Sequence, residues 1–201
     1  MAPLVAPLPL QGTMAGFRRF SVPEYHKLIE IGVLTEDDNL ELLEGYLVHK
    51  MSRNPPHDAA LQKIARIMFR TLPPGWDARI QCAVTLPESE PEPDVAVVRG
   101  DENTYVRRHP SPADIGLLIE VSDATLAADR LDKGRIYARA NITCYWIVNL
   151  VNRQIEVYTQ PSGPINVPAY PQPATFRPGD AVPLILDGAA VATIAVDDVL
   201  P

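Results

Sequence analysis

An α/β fold is what this sequence predicts, and three stretches carry that expectation. Residues 117–148, LLIEVSDATLAADRLDKGRIYARANITCYWIV, read as strand, helix, strand. The apolar run Gly116-Leu117-Leu118-Ile119 is too short for a helix and suits a buried strand, as does Cys144-Tyr145-Trp146-Ile147-Val148. Between them Asp129, Lys133 and Tyr137 stand at i, i+4, i+8, along one face of a helix. Upstream, residues 78–86 alternate apolar with polar like a half-buried strand, and Pro93-Asp94 opens the apolar run Val95-Ala96-Val97-Val98.

The flanking elements follow in order. Ser21-Val22-Pro23-Glu24 is a capping box with proline just inside a first helix, which Gly32 ends; Tyr25, Leu28 and Ile29 would form its apolar stripe. After the acidic loop 35–39, residues 40–48 read as two short strands about a tight turn at Glu44-Gly45. Asn54-Pro55-Pro56-His57-Asp58 starts a second helix in which Leu61, Ile64, Ala65 and Met68 recur at helical spacing, and Pro73-Pro74-Gly75 stops it. Residues 99–112 form a polar loop carrying Arg107, Arg108 and His109. A strand is expected over 154–158, a proline-punctuated segment over 161–178, and short edge strands over 181–200.

Of the 201 residues, 46% are hydrophobic and 21% charged, the balance of one folded domain rather than of a disordered chain. Residues 1–16, rich in Ala, Pro and Leu, read as a flexible N-terminal arm, and 17–201 as a single domain. The net charge of -7 counts against tight non-specific DNA binding, which draws on cations to neutralise phosphates. It leaves room for a nuclease, whose carboxylates a metal neutralises and whose basic residues need only cluster locally. Cys82 and Cys144 fall in apolar runs and read as buried, reduced thiols. The N-terminus lacks a basic start, and no apolar stretch is long enough to span a bilayer, so a cytoplasmic location without a membrane partner is expected.

The chemistry concentrates where the strands end. A phosphodiester resists attack because its negative oxygens repel the nucleophile. Hydrolysis therefore calls for a Lewis acid and for a cation facing the charge that develops. Asp94 and Glu120, on neighbouring strands, are hard-oxygen donors of the kind magnesium takes, and the Val121 carbonyl points to the same place if the strand ends there. Lys133, on the following helix, is the ammonium that could reach across. Taken singly each has a plainer reading: Asp94 as a strand start, Glu120 as a solvated strand end, Asp129 with Lys133 as a surface ion pair. Glu120 follows four apolar residues, however, and carboxylates near a buried layer are rare unless paired or metal-bound.

In order along the chain stand Glu44-Gly45, Pro55-x-His57, Pro93-Asp94-Val95 and Ile119-Glu120-Val121-Ser122. The Asp129, Lys133, Tyr137 helix then runs into Tyr145-Trp146-Ile147-Val148. This order resembles the Uma-type endonucleases of bacteria, a branch of the restriction-endonuclease-like (PD-D/E-x-K) superfamily, over about residues 17–158. The resemblance implies a central mixed β-sheet flanked by helices and hydrolysis of nucleic acid, DNA rather than RNA, with Mg²⁺ or Mn²⁺ as cofactor. It makes Asp94, Glu120 and Glu44 metal ligands and Asp94, Glu120 and Lys133 the catalytic set. The superfamily's lysine usually stands two residues after the glutamate, where this chain has Ser122; that departure nominates Lys133 in its place. His57 is left open between helix capping, phosphate contact and catalysis. Gln81 would line the cleft, Asp129 would accompany Lys133, and Tyr137 would pack on the sheet. Members of the fold often pair as homodimers. The rival reading is a catalytically inactive module on the same scaffold that binds nucleic acid or protein.

Overall fold

The computed structural model describes residues 16–201, so the expected arm at 1–16 lies, but for its last residue, outside the described residues. A six-stranded mixed sheet in the order β3-β4-β5-β6-β7-β8 forms the centre. Its strands are β3 (Trp76–Ile80), β4 (Val95–Arg99), β5 (Ile115–Ser122), β6 (Cys144–Asn149), β7 (Gln154–Thr159) and β8 (Ala174–Phe176). Only β5 and β6 pair in parallel, Glu120 beside Ile147. A parallel pair needs a crossover, and the segment between them supplies it as α3 (Leu126–Ala128), a π turn (Asp129–Lys133) and α4 (Gly134–Arg139). The expected helix is therefore present, with a wider turn in its middle.

Alternation sends the strand residues to two separate cores. Val95, Val97, Leu117, Ile119, Trp146 and Val148 pack toward α2 (Pro55–Thr71). Ala96, Val98, Leu118, Tyr145 and Ile147 pack toward Ile136 and Tyr137 of α4. Glu120 and Ser122 keep the parity of Leu118, so β5 presents both toward the crossover. The strand runs on through Ser122 instead of ending at Glu120, and both residues are buried.

Before the sheet, α1 (Val22–Glu30) has the expected capping box, Ser21 reciprocating with Glu24. Its buried residues are Val22 and Tyr25, while Ile29 is exposed, because the helix rests on the hairpin by its first turns only. That hairpin pairs β1 (Leu40–Leu43) with β2 (Tyr46–His49). At its turn Glu44 and Gly45 both have positive φ, 48° and 83°, the backbone that matches the twist of a two-residue hairpin. A Cβ on Gly45 would stand 2.7 Å from the Arg19 Cβ, so only glycine fits.

Two other expectations change. The run 78–86 is not one strand: Gln81 adopts the left-handed conformation (φ 52°), ends β3 and turns its own side chain toward Asp94. The segment 181–200 is not a set of edge strands. It forms a separate hairpin of β9 (Ala181–Leu186) and β10 (Ala189–Ala195), then α5 (Val196–Val199), which close the core under α2. Cys82 and Cys144 are free and half-buried, and burial pushes the Cys144 thiol up to about 11. Among the described residues no helix is long and apolar enough to cross a membrane.

Candidate active site

Asp94 occupies the position just before β4. Antiparallel register, Val95 opposite Ile119, places it against the Glu120–Val121 end of β5. Its Oδ2 accepts the Val121 amide at 2.8 Å and lies 3.1 Å from the His57 Nε2, and its Oδ1 accepts the Gln81 side-chain amide at 3.2 Å. His57 is delivered by the first turn of α2, whose N-cap is Asn54: the Asn54 Oδ1 accepts the His57 amide at 3.0 Å. So the cap belongs to Asn54, which frees the imidazole to hold Asp94. Burial alone would push the Asp94 carboxyl up, but His57, the Val121 amide and Lys133 outweigh it and hold the group below the usual carboxylate range. The same contact raises His57 against its own burial.

Glu120 takes two donors on one oxygen: Lys133 Nζ reaches Oε1 at 2.8 Å and the Tyr137 hydroxyl donates to it at 2.7 Å. Burial pushes the Glu120 carboxyl up to about 8, with Lys133 opposing and Asp129 and Asp94 adding to the rise. Lys133 is itself almost enclosed. Burial works against its charge, but Glu120, Glu41 and Asp129 prevail and raise it well above an ordinary lysine. Among the described residues nothing donates a hydrogen bond to the Glu120 Oε2, nor to the Asp94 Oδ1 besides Gln81.

The structure thus brings Asp94, Glu120, Lys133, Tyr137, His57 and Gln81 into one connected cluster at the open ends of β4 and β5. Asp129 adjoins it two residues further along β5, at Ser122: its Oδ2 accepts the Ser122 hydroxyl at 2.7 Å, and its carbonyl accepts the Tyr145 hydroxyl at 3.1 Å. Glu44 lies elsewhere. The left-handed backbone at the hairpin turn aims it at α4, where Arg135 grips it at 3.1 and 2.7 Å and Arg139 stands 3.4 Å away. Among the described residues no three His, Cys, Asp or Glu side chains are gathered as a ready ligand set.

The model of Uma2, a family described as "putative restriction endonuclease", matches residues 22–194. The chain belongs to the Uma2 family. Among solved structures it is similar to a "putative nuclease belonging to DUF820" from Anabaena variabilis, with a TM-score of 0.64 and 15% identity over 90% of this chain and 97% of that one. At that identity the likeness concerns the fold, a mixed sheet between helices. Among curated proteins none matches.

Within this Uma2 domain, three contributors escaped the reading of the sequence. Glu41, buried in Leu40-Glu41-Leu42-Leu43, is the hairpin acid whose charge acts on Lys133. A charge inside an apolar run was the signal that singled out Glu120, and it applied equally here. Arg53 bonds the Gln81 carbonyl oxygen and so fixes which end of that amide faces Asp94. The Val121 amide carried no sequence signal at all, since any residue supplies one.

Proposed function

We propose that this chain is a nuclease that hydrolyses the phosphodiester bonds of DNA with the help of Mg²⁺ or Mn²⁺. The observation that carries the proposal is the buried Lys133–Glu120 pair, 2.8 Å apart, beside a second buried acid, Asp94. A merely structural ion pair has little to gain from a further carboxylate in the same recess, since each buried charge costs several kcal/mol to desolvate, on the order of the pair's own attraction. A site built to work on a phosphate has use for all three.

The donor set fits a hard divalent cation. Magnesium keeps several waters and needs one or two carboxylates, so the lack of a third acid is no obstacle. Asp94 through Oδ1 and Glu120 through Oε2 are the oxygens that would hold it. The Val121 N–H faces Asp94, and in an extended strand the carbonyl of the same residue faces the same side. When bound, such an ion supplies Lewis-acid polarisation of the phosphoryl group and a more acidic water.

The protein's own residues do the rest. His57, Gln81 and the Val121 amide lock the Asp94 rotamer, so its free oxygen is positioned before substrate arrives. Tyr137 holds Glu120 from the core side. Lys133 carries a fixed positive charge at the mouth of the pair, where it opposes negative charge developing on the phosphate and restrains the attacking water.

The test is cleavage of plasmid and single-stranded DNA with Mg²⁺ or Mn²⁺ by the wild type, Asp94→Ala and Lys133→Ala. The expected outcome is metal-dependent cleavage that falls by at least about a hundredfold in each variant, the scale of losing one preorganised charge. Equal cleavage by all three proteins overturns the assignment. DNA binding without cleavage by any of them would leave a binding module on the same scaffold.

A further inference from the structure

Beside the acid cluster runs a groove of about 460 Å³ between α2 and the end of β3. That is within the roughly 300–1,000 Å³ of small-ligand sites. Its floor is apolar, made by Leu61, Ala65 and Ile80, and its walls carry Arg53, Arg66 and the ring of Phe69. Gln81 belongs to both places: it lines the groove and donates to the Asp94 Oδ1, so the groove adjoins the acid cluster through this one side chain.

Two features of the groove call for an occupant. Phe69 is 60% exposed in the last turn of α2, where among the described residues it has neither an aromatic nor a cationic neighbour in stacking distance. The guanidinium of Arg66 has no acidic partner among the described residues, and Arg53 bonds only the neutral Gln81. Between positions 53 and 70 the chain carries Arg53, Lys63, Arg66 and Arg70 against the single acid Asp58, in a protein of net charge -7. Asp58 also lines the groove, at its His57 end, 3.7 Å from the His57 Nδ1. An aromatic face over an apolar floor, flanked by unpaired guanidinium groups, is the combination that takes unpaired bases with their phosphates, since every base offers a π face and every linkage an anion.

We propose that the α2–β3 groove holds an unpaired stretch of the nucleic-acid strand next to the reacting phosphate, one base on Phe69 and the backbone on Arg53 and Arg66. The proposal rests on the nuclease reading of the Asp94–Glu120 cluster and adds the form of its substrate: single-stranded or locally opened nucleic acid.

Binding is measured by fluorescence anisotropy with a labelled oligodeoxynucleotide, as a single strand and as a blunt duplex, in EDTA. The single strand is expected to bind at least about tenfold more tightly than the duplex. Phe69→Ala and Phe69→Leu should both weaken it by about tenfold, because leucine keeps the apolar bulk but not the π face. Arg66→Ala should weaken it and lower the slope of log affinity against log salt by about one contact's worth. Equal binding of the two forms, or full binding by Phe69→Leu and Arg66→Ala, overturns the proposal; the latter is also what an apolar protein segment as the true occupant would give. Asp94→Ala keeps the two readings apart. If it cleaves like the wild type, the assignment of the Asp94–Glu120 site falls, and if its cleavage is lost while the groove variants bind like wild type, the groove assignment falls alone.

Discussion

Ser122 is fully buried, and its hydroxyl spends itself on Asp129, which begins the π turn. It shares a strand face with Glu120, two residues earlier, so a lysine there would meet the same carboxylate that Lys133 meets from the helix. Two routes to one ammonium position lead to a direct comparison. In a Lys133→Ala background, Ser122→Lys should restore at least about tenfold of the lost cleavage, because position matters more than the element that supplies the charge. Ser122→Lys alone should gain nothing and lose about 1–3 kcal/mol of stability to overpacking. Cleavage rates and urea midpoints of the single and double variants check both. A second residue-scale outcome concerns Glu156, buried on β7 and held by Arg130, Asn149 at 2.7 Å, Gln154 at 2.9 Å and Tyr158 at 2.8 Å. Burial by itself would raise its carboxyl, but these donors bring it down to about 2. A depressed acid stabilises the fold in full above its ordinary value of 4.5 and loses that contribution as pH falls toward 2. Glu156→Gln should therefore flatten the acid slope of stability, with urea midpoints compared from about pH 6 down to about pH 3.

At the scale of elements, α2 does two tasks through one cap. Asn54 accepts the His57 amide with its carbonyl oxygen and donates from its amide nitrogen to the Asp123 carboxylate at 2.7 Å, tying the helix start to the loop after β5. Asn54→Ala should cost about 0.5–2 kcal/mol from the cap, read by thermal or urea unfolding. It should also reduce cleavage more than Asp58→Ala does, because only the former loosens the turn that aims His57 at Asp94. Capping was plain in the sequence at Ser21, as were the start of α2 within residues 54–58, the hairpin turn at Glu44-Gly45 and the strand, helix, strand order about Glu120, because each depends on neighbours a few residues apart; that the α2 cap is Asn54 and not His57 came from the structure. The break at Gln81 was not. Burial keeps alternating across it, with Ala78, Val84 and Leu86 all inside, so the hydrophobic pattern continues while the backbone leaves the sheet. What bends the chain is contact with Asp94 and Arg53, far off in sequence. The π turn was hidden for a related reason: Asp129, Lys133 and Tyr137 face the sheet in either helix type, and only the bonds to Ser122 and Glu120 settle the wider turn. Glu44 was read as an acid near the others, but the turn aims it at Arg135, while the charge of Glu41, whose carboxylate accepts the Glu92 amide, is the hairpin charge that acts on Lys133.

Across the whole molecule, the sheet works as a partition. One face carries the helix with the groove, the other the crossover that bears Lys133, and the acids sit where β4 and β5 reach the rim between them. The rim keeps its shape only if both faces are filled, and the face under α2 is filled largely from the C-terminal end of the chain. Val182, Leu184, Leu186, Ile194, Val196, Val199 and Leu200 are all buried in that core, and Lys63 of α2 donates to the Leu200 carbonyl at 2.5 Å. Each such side chain contributes about 1.5–3 kcal/mol by leaving water. Seven together match or exceed the roughly 5–15 kcal/mol that holds an ordinary domain. A chain ending at Gly179 should therefore fail to fold cooperatively and bind a hydrophobic dye, although it keeps every residue assigned to the acid cluster and the groove. Cleavage should disappear with it. If that shortened chain unfolded cooperatively and cut DNA like the full one, the hairpin would be an appendage, and the rim would have to be held by the six-stranded sheet and α4 without it.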